Sequence, residues 1–176
     1  MSIVGVECNA DRYFFGRLLD NKNLIRKERN DSEVIKGVSV RSKGNFSIGI
    51  IDIDKNKKIP SDFIIISKND NTKIFKHSSY CQFLVLVGPR QFEHWINDFL
   101  KLKNTRVENF DFISFDQFME ISKSISPEKH QKFKIVIDFV IKNYNNDINH
   151  ISKLKQQLEY MIAKKYLFNS DEFFEL

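Results

Sequence analysis

The chain has little cysteine, proline, glycine or tryptophan: two, three, six and one in 176 residues. Two cysteines, Cys8 and Cys81, do not make a disulfide scaffold, and no CxxC pair or Cys/His spacing suited to zinc is present. Both stand in apolar, strand-like runs and read as core thiols. The shortage of proline and glycine excludes collagen-like or linker-rich organisation, and no internal repeat is visible. No apolar run reaches membrane-spanning length, and the N-terminus lacks a charged start followed by a long apolar stretch. A cytoplasmic protein that does not touch the membrane is therefore expected. Glycine-rich phosphate loops of Walker or Rossmann type are missing, as is a GxSxG elbow, so nothing here supports an ATPase, a dehydrogenase or a Ser-His-Asp hydrolase.

What is present is an ordinary globular composition, 41% hydrophobic and 29% charged, in a length that suits one domain with a helical appendage. The net charge of +5 and pI near 9.1 are compatible with a polyanionic partner. The lysines are scattered without a dense basic tail, so a solvated basic surface explains them equally well.

Hydrophobic periodicity outlines the fold. The run "SIVGVEC" (2–8) reads as a buried strand, and "NADRYFFGRLLDN" after it reads as a helix with Asn9 as N-cap. Strand, turn and helix in that order begin an α/β unit. Residues 22–32 are polar enough to be loop. "EVIKGVSVRS" alternates apolar and polar residues and reads as a strand, as does "FSIGIIDID"; the short "KGN" link leaves no room for a helix between them and predicts antiparallel pairing. "FIIISKNDNTKIFKH" predicts a hairpin around "NDN", and "QFLVLVGP" (82–89) another buried strand. "RQFEHWINDFLK" places Phe92, Trp95, Ile96 and Phe99 on one helical face.

Beyond it the pattern is helical. Ser114 with Gln117 makes a capping-box pattern, and Pro127 stands at a first helical position. Residues 127–144 read as a well-buried helix, and Ile148, Ile151, Leu154, Leu158, Met161 and Ile162 as the stripe of a last one. The expected organisation is an α/β domain over residues 1–104 and a C-terminal helical region over 105–176, packed on it or mediating association.

The chemistry concentrates in "GIIDIDK". In a strand, residues two apart face the same way, so Asp52 and Asp54 are expected side by side. Two carboxylates that close stay ionised together only beside a cation. Glu7 ends the first buried strand, where open parallel sheets bind ligands at their carboxyl ends. Three such oxygen donors suit Mg²⁺ or Mn²⁺, and a site of that kind suits phosphoryl transfer. Lys55, Lys57 and Lys58 follow and could hold a phosphate backbone, or simply solvate a loop. His94 reads as a packing histidine.

"VGVECNAD" followed by "GIIDIDK" resembles the Toprim domain of topoisomerases, primases and the overcoming-lysogenisation-defect nucleases. Its signature is a glutamate after the first strand and an Asp-x-Asp after a later one. The resemblance covers about residues 3–100. It implies a Toprim-like (Rossmann-like), mostly parallel sheet with flanking helices, and a magnesium-dependent nuclease or related phosphotransfer enzyme. Glu7, Asp52 and Asp54 would be its catalytic metal ligands, with Asp11 as a further acid. "LVLVGPRQFEHWI" resembles the later strand and helix of small standalone relatives and gives Glu93 a supporting role. DNA or RNA as substrate, an ATPase partner and a place in antiviral (phage) defence are likewise implied by the resemblance. Two departures stand out: Cys8 replaces the glycine usual after the glutamate, and the helix usual before the Asp-x-Asp strand has no room.

Two other readings are open. One is a catalytically inactive Toprim-like subunit whose helices bind a partner protein, and the other is a plain nucleic-acid-binding module. Sequence does not distinguish a monomer from a homodimer.

Overall fold

The computed structural model describes residues 3–53 and 58–176. It is an α/β protein built on one six-stranded sheet, in the order β2-β1-β3-β6-β5-β4. The strands are β1 (Val4–Val6), β2 (Ile25–Lys27), β3 (Ser47–Asp52), β4 (Phe63–Lys68), β5 (Thr72–His77) and β6 (Gln82–Val87). β2, β1, β3 and β6 run parallel, while β5 is antiparallel to β6 and β4 to β5.

β1 leads through α1 (Asn9–Leu18) to β2, and β2 leads through α2 (Asp31–Lys36) back past β1 to β3. α1 contributes Ala10, Phe14, Phe15 and Leu18 to the larger core on one face of the sheet. Val34 and Val38, from α2 and the π-helical turn Gly37–Arg41, build the smaller core on the other face. The order of the strands therefore reverses between β1 and β3, and their carboxyl ends flank a topological switch point.

The stretch 34–43, expected as a strand, is instead the end of α2 and that π-helical turn. Asn30 caps the helix, its side-chain oxygen accepting the Glu33 amide at 2.9 Å. Val34 and Val38, four apart, are buried on one helical face, whereas Val40 is 67% exposed. The apparent alternation was a helical i, i+4 pair plus one exposed valine. β3 has no antiparallel partner in this segment, and the crossover helix thought to have no room is present. Gly49 makes it fit: a Cβ there would stand 2.8 Å from Val34 Cγ1 and 3.0 Å from Val38 Cγ2. Within the expected loop 22–32 lies the short edge strand β2, of which only Ile25 is buried.

β6 is buried on both faces, with Phe83, Val85 and Val87 in the larger core and Leu84 and Leu86 in the smaller. β4 and β5 form the expected hairpin and lie between β3 and β6 in the chain. From Gly88 the chain enters α3 (Phe92–Leu102), whose Phe92, Trp95, Ile96, Phe99 and Leu100 are buried. Trp95 packs edge-to-face on Phe14, with centroids 5.7 Å apart, the geometry favoured by ring quadrupoles.

Three longer helices follow: α4 (Phe115–Ser122), α5 (Gln131–Asn143) and α6 (His150–Lys164), then the short α7 (Ser170–Phe174). Ser114 caps α4 by accepting the Gln117 amide, and Gln117 accepts the Ile113 amide in return. Pro127 opens a 3-10 turn, not the helix itself, because His130 is extended and α5 starts after it. Ile148 precedes α6 and is 96% exposed, so it is not part of the buried stripe. Phe118, Phe133, Val136, Leu154, Leu158 and Phe173 belong to the same apolar cluster as Val4, Ile48 and Trp95, so residues 105–176 share one core with the sheet. No helix among the described residues is long and apolar enough to cross a membrane.

Candidate functional site

Glu7 follows β1 and Asp52 ends β3, and the parallel register sets Val6 beside Ile50. The two acids thus come to the same end of adjacent strands. Glu7 Oε1 accepts the Asp52 amide at 3.1 Å. Asp52 Oδ1 accepts the Phe92 amide at 2.7 Å, at the first residue of α3. Gln91, the N-cap, makes no side-chain cap bond of its own, so a carboxylate from β3 satisfies an otherwise orphaned helix-terminal amide and meets the positive end of the helix.

Two more acids lie below. Cys8 and Asp11 form a reciprocal cap at the start of α1: the Asp11 amide donates to Cys8 Sγ at 3.3 Å, and the Cys8 amide donates to Asp11 Oδ2 at 3.1 Å. Cys8 is extended, with φ −133°, so the turn needs no glycine. It is half-buried at a helix cap instead of inside a strand, and Cys81 is also only half-buried. Asp11 is 4% exposed, and its Oδ1 is buried without a hydrogen-bond partner. Burial first, then the charges of Glu7 and Glu93, push its carboxyl up to about 7, against the lowering effect of its bonds to Cys8. Burial, followed by the charge of Asp11, likewise pushes the Cys8 thiol up, which makes it inert as a nucleophile. Glu93, in the first turn of α3 and 4% exposed, accepts a hydrogen bond from the Ser122 hydroxyl of α4.

Glu7, Asp52 and Glu93 line one open cleft of about 1070 Å³ between the strand ends, α3 and α4. Arg29, Arg90 and Lys123 stand on its wall and are exposed. They are cations that the sequence motifs did not single out. Arg29 precedes the Asn30 cap and Arg90 follows Gly88-Pro89, so both could have been found as basic residues beside turn signals; nothing marked Lys123 or Ser122. His94 also lines the cleft, its ring 5.1 Å from Phe115, and burial and then Arg90 push its pKa down.

The structure therefore brings together Glu7, Asp52 and Glu93, with Asp11 beneath them. Lys58 is exposed and does not line the cleft. Asp54, Lys55 and Lys57 lie outside the described residues. Among the described residues no group of three or more His, Cys, Asp or Glu is placed to hold a metal ion. The donors in view are hard carboxylate oxygens, and Mg²⁺ commonly takes only one or two carboxylates together with water and substrate phosphate. Glu7 and Asp52 fit that complement.

Comparison with protein-family models, with curated proteins and with solved structures finds no match.

Proposed function

We propose that this chain is a Mg²⁺- or Mn²⁺-dependent phosphodiesterase of the Toprim type that acts on nucleic acid. The observation that carries this reading is the pair Glu7 and Asp52, brought from adjacent parallel strands to the switch point and faced by Arg29, Arg90 and Lys123. Asp52 and Glu7 would hold the metal, with Asp54 as the third acid. When bound, the metal would polarise a phosphate oxygen and make water a nucleophile near neutral pH.

The chain's own residues do the rest. The exposed cations of the cleft hold the phosphodiester, and helix α3 directs its N-terminal end toward it. The Asp52 amide fixes the Glu7 carboxylate, so Glu7 keeps its orientation as ligand or general base. Glu93, held by the Ser122 hydroxyl, adds negative charge beside the pair, while Asp11 keeps its proton until the pH approaches 7. An ATPase partner and a part in phage defence, implied by the resemblance, belong to the same proposal.

A second reading rests on a specific observation. Both carboxylates are already engaged by backbone amides, which is what a purely structural pair would do. On that reading the chain is an inactive subunit that binds a partner protein, or a nucleic-acid-binding module.

Calorimetric titration of Mg²⁺ and Mn²⁺ into the wild type, Asp52→Asn and Glu7→Gln tests the choice, with cleavage of single- and double-stranded DNA and RNA measured beside it. The enzyme reading expects binding that Asp52→Asn abolishes and turnover reduced roughly 100-fold or more. Nucleic-acid affinity that is salt-dependent but unchanged in Asp52→Asn, without cleavage, selects the binding module. Neither metal binding nor cleavage in the wild type selects the inactive subunit.

A further inference from the structure

A second cavity, of about 230 Å³, lies on the face of the sheet that α2 covers, and it shares no lining residue with the cleft. Its floor is bare backbone and one hydroxyl. Gly5 of β1 pairs with Arg26 of β2 and Gly49 of β3. A Cβ on Gly5 would stand 3.7 Å from Val34 Cγ1 and 3.8 Å from Glu28 Cγ, in ordinary contact, so the glycine leaves space under α2 that a side chain would fill without strain. Ser47, two residues before Gly49 on β3, faces the same side. It lines the cavity and is 6% exposed, and its hydroxyl is buried with no hydrogen-bond partner among the described residues. A buried hydroxyl left unpaired is costly, and the cavity is the space open to it.

The mouth is cationic. Arg26 and Arg41 each bring Nη2 to one oxygen, Glu28 Oε1, at 2.7 and 3.0 Å. They meet over Gly37, where a Cβ would stand 2.9 Å from Arg41 Nη2 and 3.5 Å from Arg26 Nη2. Glu33 engages Arg41 further, through its Oε2 and its backbone oxygen. Arg26 has no second partner among the described residues, so its Nε and Nη1 are left to donate. Lys165 adds an exposed ammonium, and the neighbouring Tyr166 hydroxyl accepts the Phe46 amide at 2.9 Å, which ties this segment to the start of β3. Three lining cations thus face one lining carboxylate.

We propose that this cavity binds a small organic oxyanion, its carboxylate or phosphate group held by Arg26 and Lys165 at the mouth and a polar group of its body reaching the Ser47 hydroxyl. A guanidinium fork suits either head group. The volume lies below the roughly 300–1,000 Å³ of sites for drug-sized ligands, which suits a molecule of a few carbons. The proposal is independent of any chemistry at the cleft. The competing role of the cavity is to hold ordered water that satisfies Ser47, with the arginines forming a surface ion-pair group.

Calorimetric titration of the full chain with glycerate, glycerol phosphate and inorganic phosphate separates the two. Wild type is expected to take up one equivalent of glycerate or glycerol phosphate and to gain melting temperature with it; which of the two binds tighter identifies the head group. Arg26→Gln is expected to weaken that binding roughly tenfold or more. Ser47→Ala is expected to weaken it several-fold without lowering the melting temperature of the free protein, since the hydroxyl has no protein partner to lose. Gly5→Ala, whose methyl group fits but occupies the floor, is expected to weaken it as well. Arg90→Gln, on the wall of the cleft, is expected to leave it unchanged. A wild type that binds neither organic probe overturns the proposal in favour of a water-filled cavity. Binding that Arg90→Gln removes and Arg26→Gln spares places the anion in the cleft and overturns it too. Inorganic phosphate bound as tightly as the organic probes, with Ser47→Ala indifferent, overturns the part given to Ser47.

Discussion

The Asp52 carboxylate accepts the first amide of α3, so removing it has a structural consequence separate from any chemistry. Asp52→Ala is expected to cost about 1 kcal/mol, as loss of an N-terminal helix acceptor does. Asp52→Asn retains the acceptor oxygen and should unfold with the wild type in urea. Asp11 carries a different signature. Its carboxyl is raised from an ordinary 3.8 to about 7 in the folded chain, so between those values the native state holds a proton that the unfolded state has released. Stability from this group is complete below about 4 and is lost as pH rises toward 7. In chelator-containing buffer the wild type should lose stability relative to Asp11→Asn across that window, and an equal pH profile for the two would place Asp11 in a less enclosed setting. Glu7 and Asp52 were legible from the sequence because each ends an unmistakable apolar run. Arg29 and Arg90 stand beside turn signals that could have marked them, whereas Lys123 is one more cation in a lysine-rich chain until the fold sets it on the cleft wall.

At the scale of elements, α2 shows where reading by pattern went astray. Val34, Gly37, Val38 and Val40 satisfy a period of two as easily as a helical face, and β-branched residues bias the choice toward a strand. The signal that distinguishes them is Asn30 followed three residues later by Glu33, the cap that the structure uses. β1, β3, β6 and α3 were plain because burial on both faces, or a single wide stripe, leaves one interpretation. α2 lies directly on β3, and Gly49→Ala would drive a methyl group to 2.8 Å from Val34 Cγ1 and 3.0 Å from Leu84 Cδ2. A loss of about 1–3 kcal/mol is expected, measured by chemical denaturation. The end of α6 points the other way. Lys165 takes φ 48° and ψ −110°, a conformation open to glycine and strained for a residue with a Cβ. Lys165→Gly should raise the unfolding free energy by about 1 kcal/mol, and an unchanged or lowered midpoint would mean that lysine contacts outweigh the strain.

For the whole molecule, the continuous apolar cluster decides what can be cut. Division at residue 104 follows the change from alternating to helical pattern in the sequence, yet Phe118, Phe133, Leu158 and Phe173 are packed with Val4, Ile48 and Trp95. A chain truncated after residue 104 would expose the larger face of its sheet and is expected to lose cooperative unfolding and to bind a dye for apolar surface. A truncated form that melts sharply would show that the sheet and its first helices suffice. Sequence could place the helices but not what they cover, because an amphipathic stripe shows that a face is buried and does not name its partner.

One arrangement also provides a way to observe the cleft directly. The single tryptophan of the chain, Trp95, lies one helical turn beyond Phe92, the residue whose amide Asp52 accepts, and its backbone oxygen contacts the ring of His150. Any pull on the Asp52 carboxylate is passed through that amide to the turn of helix that carries the indole. The protein thus contains its own optical probe, and on the proposed function ultraviolet emission on titration with divalent cations is expected to follow occupancy at the strand ends without a label.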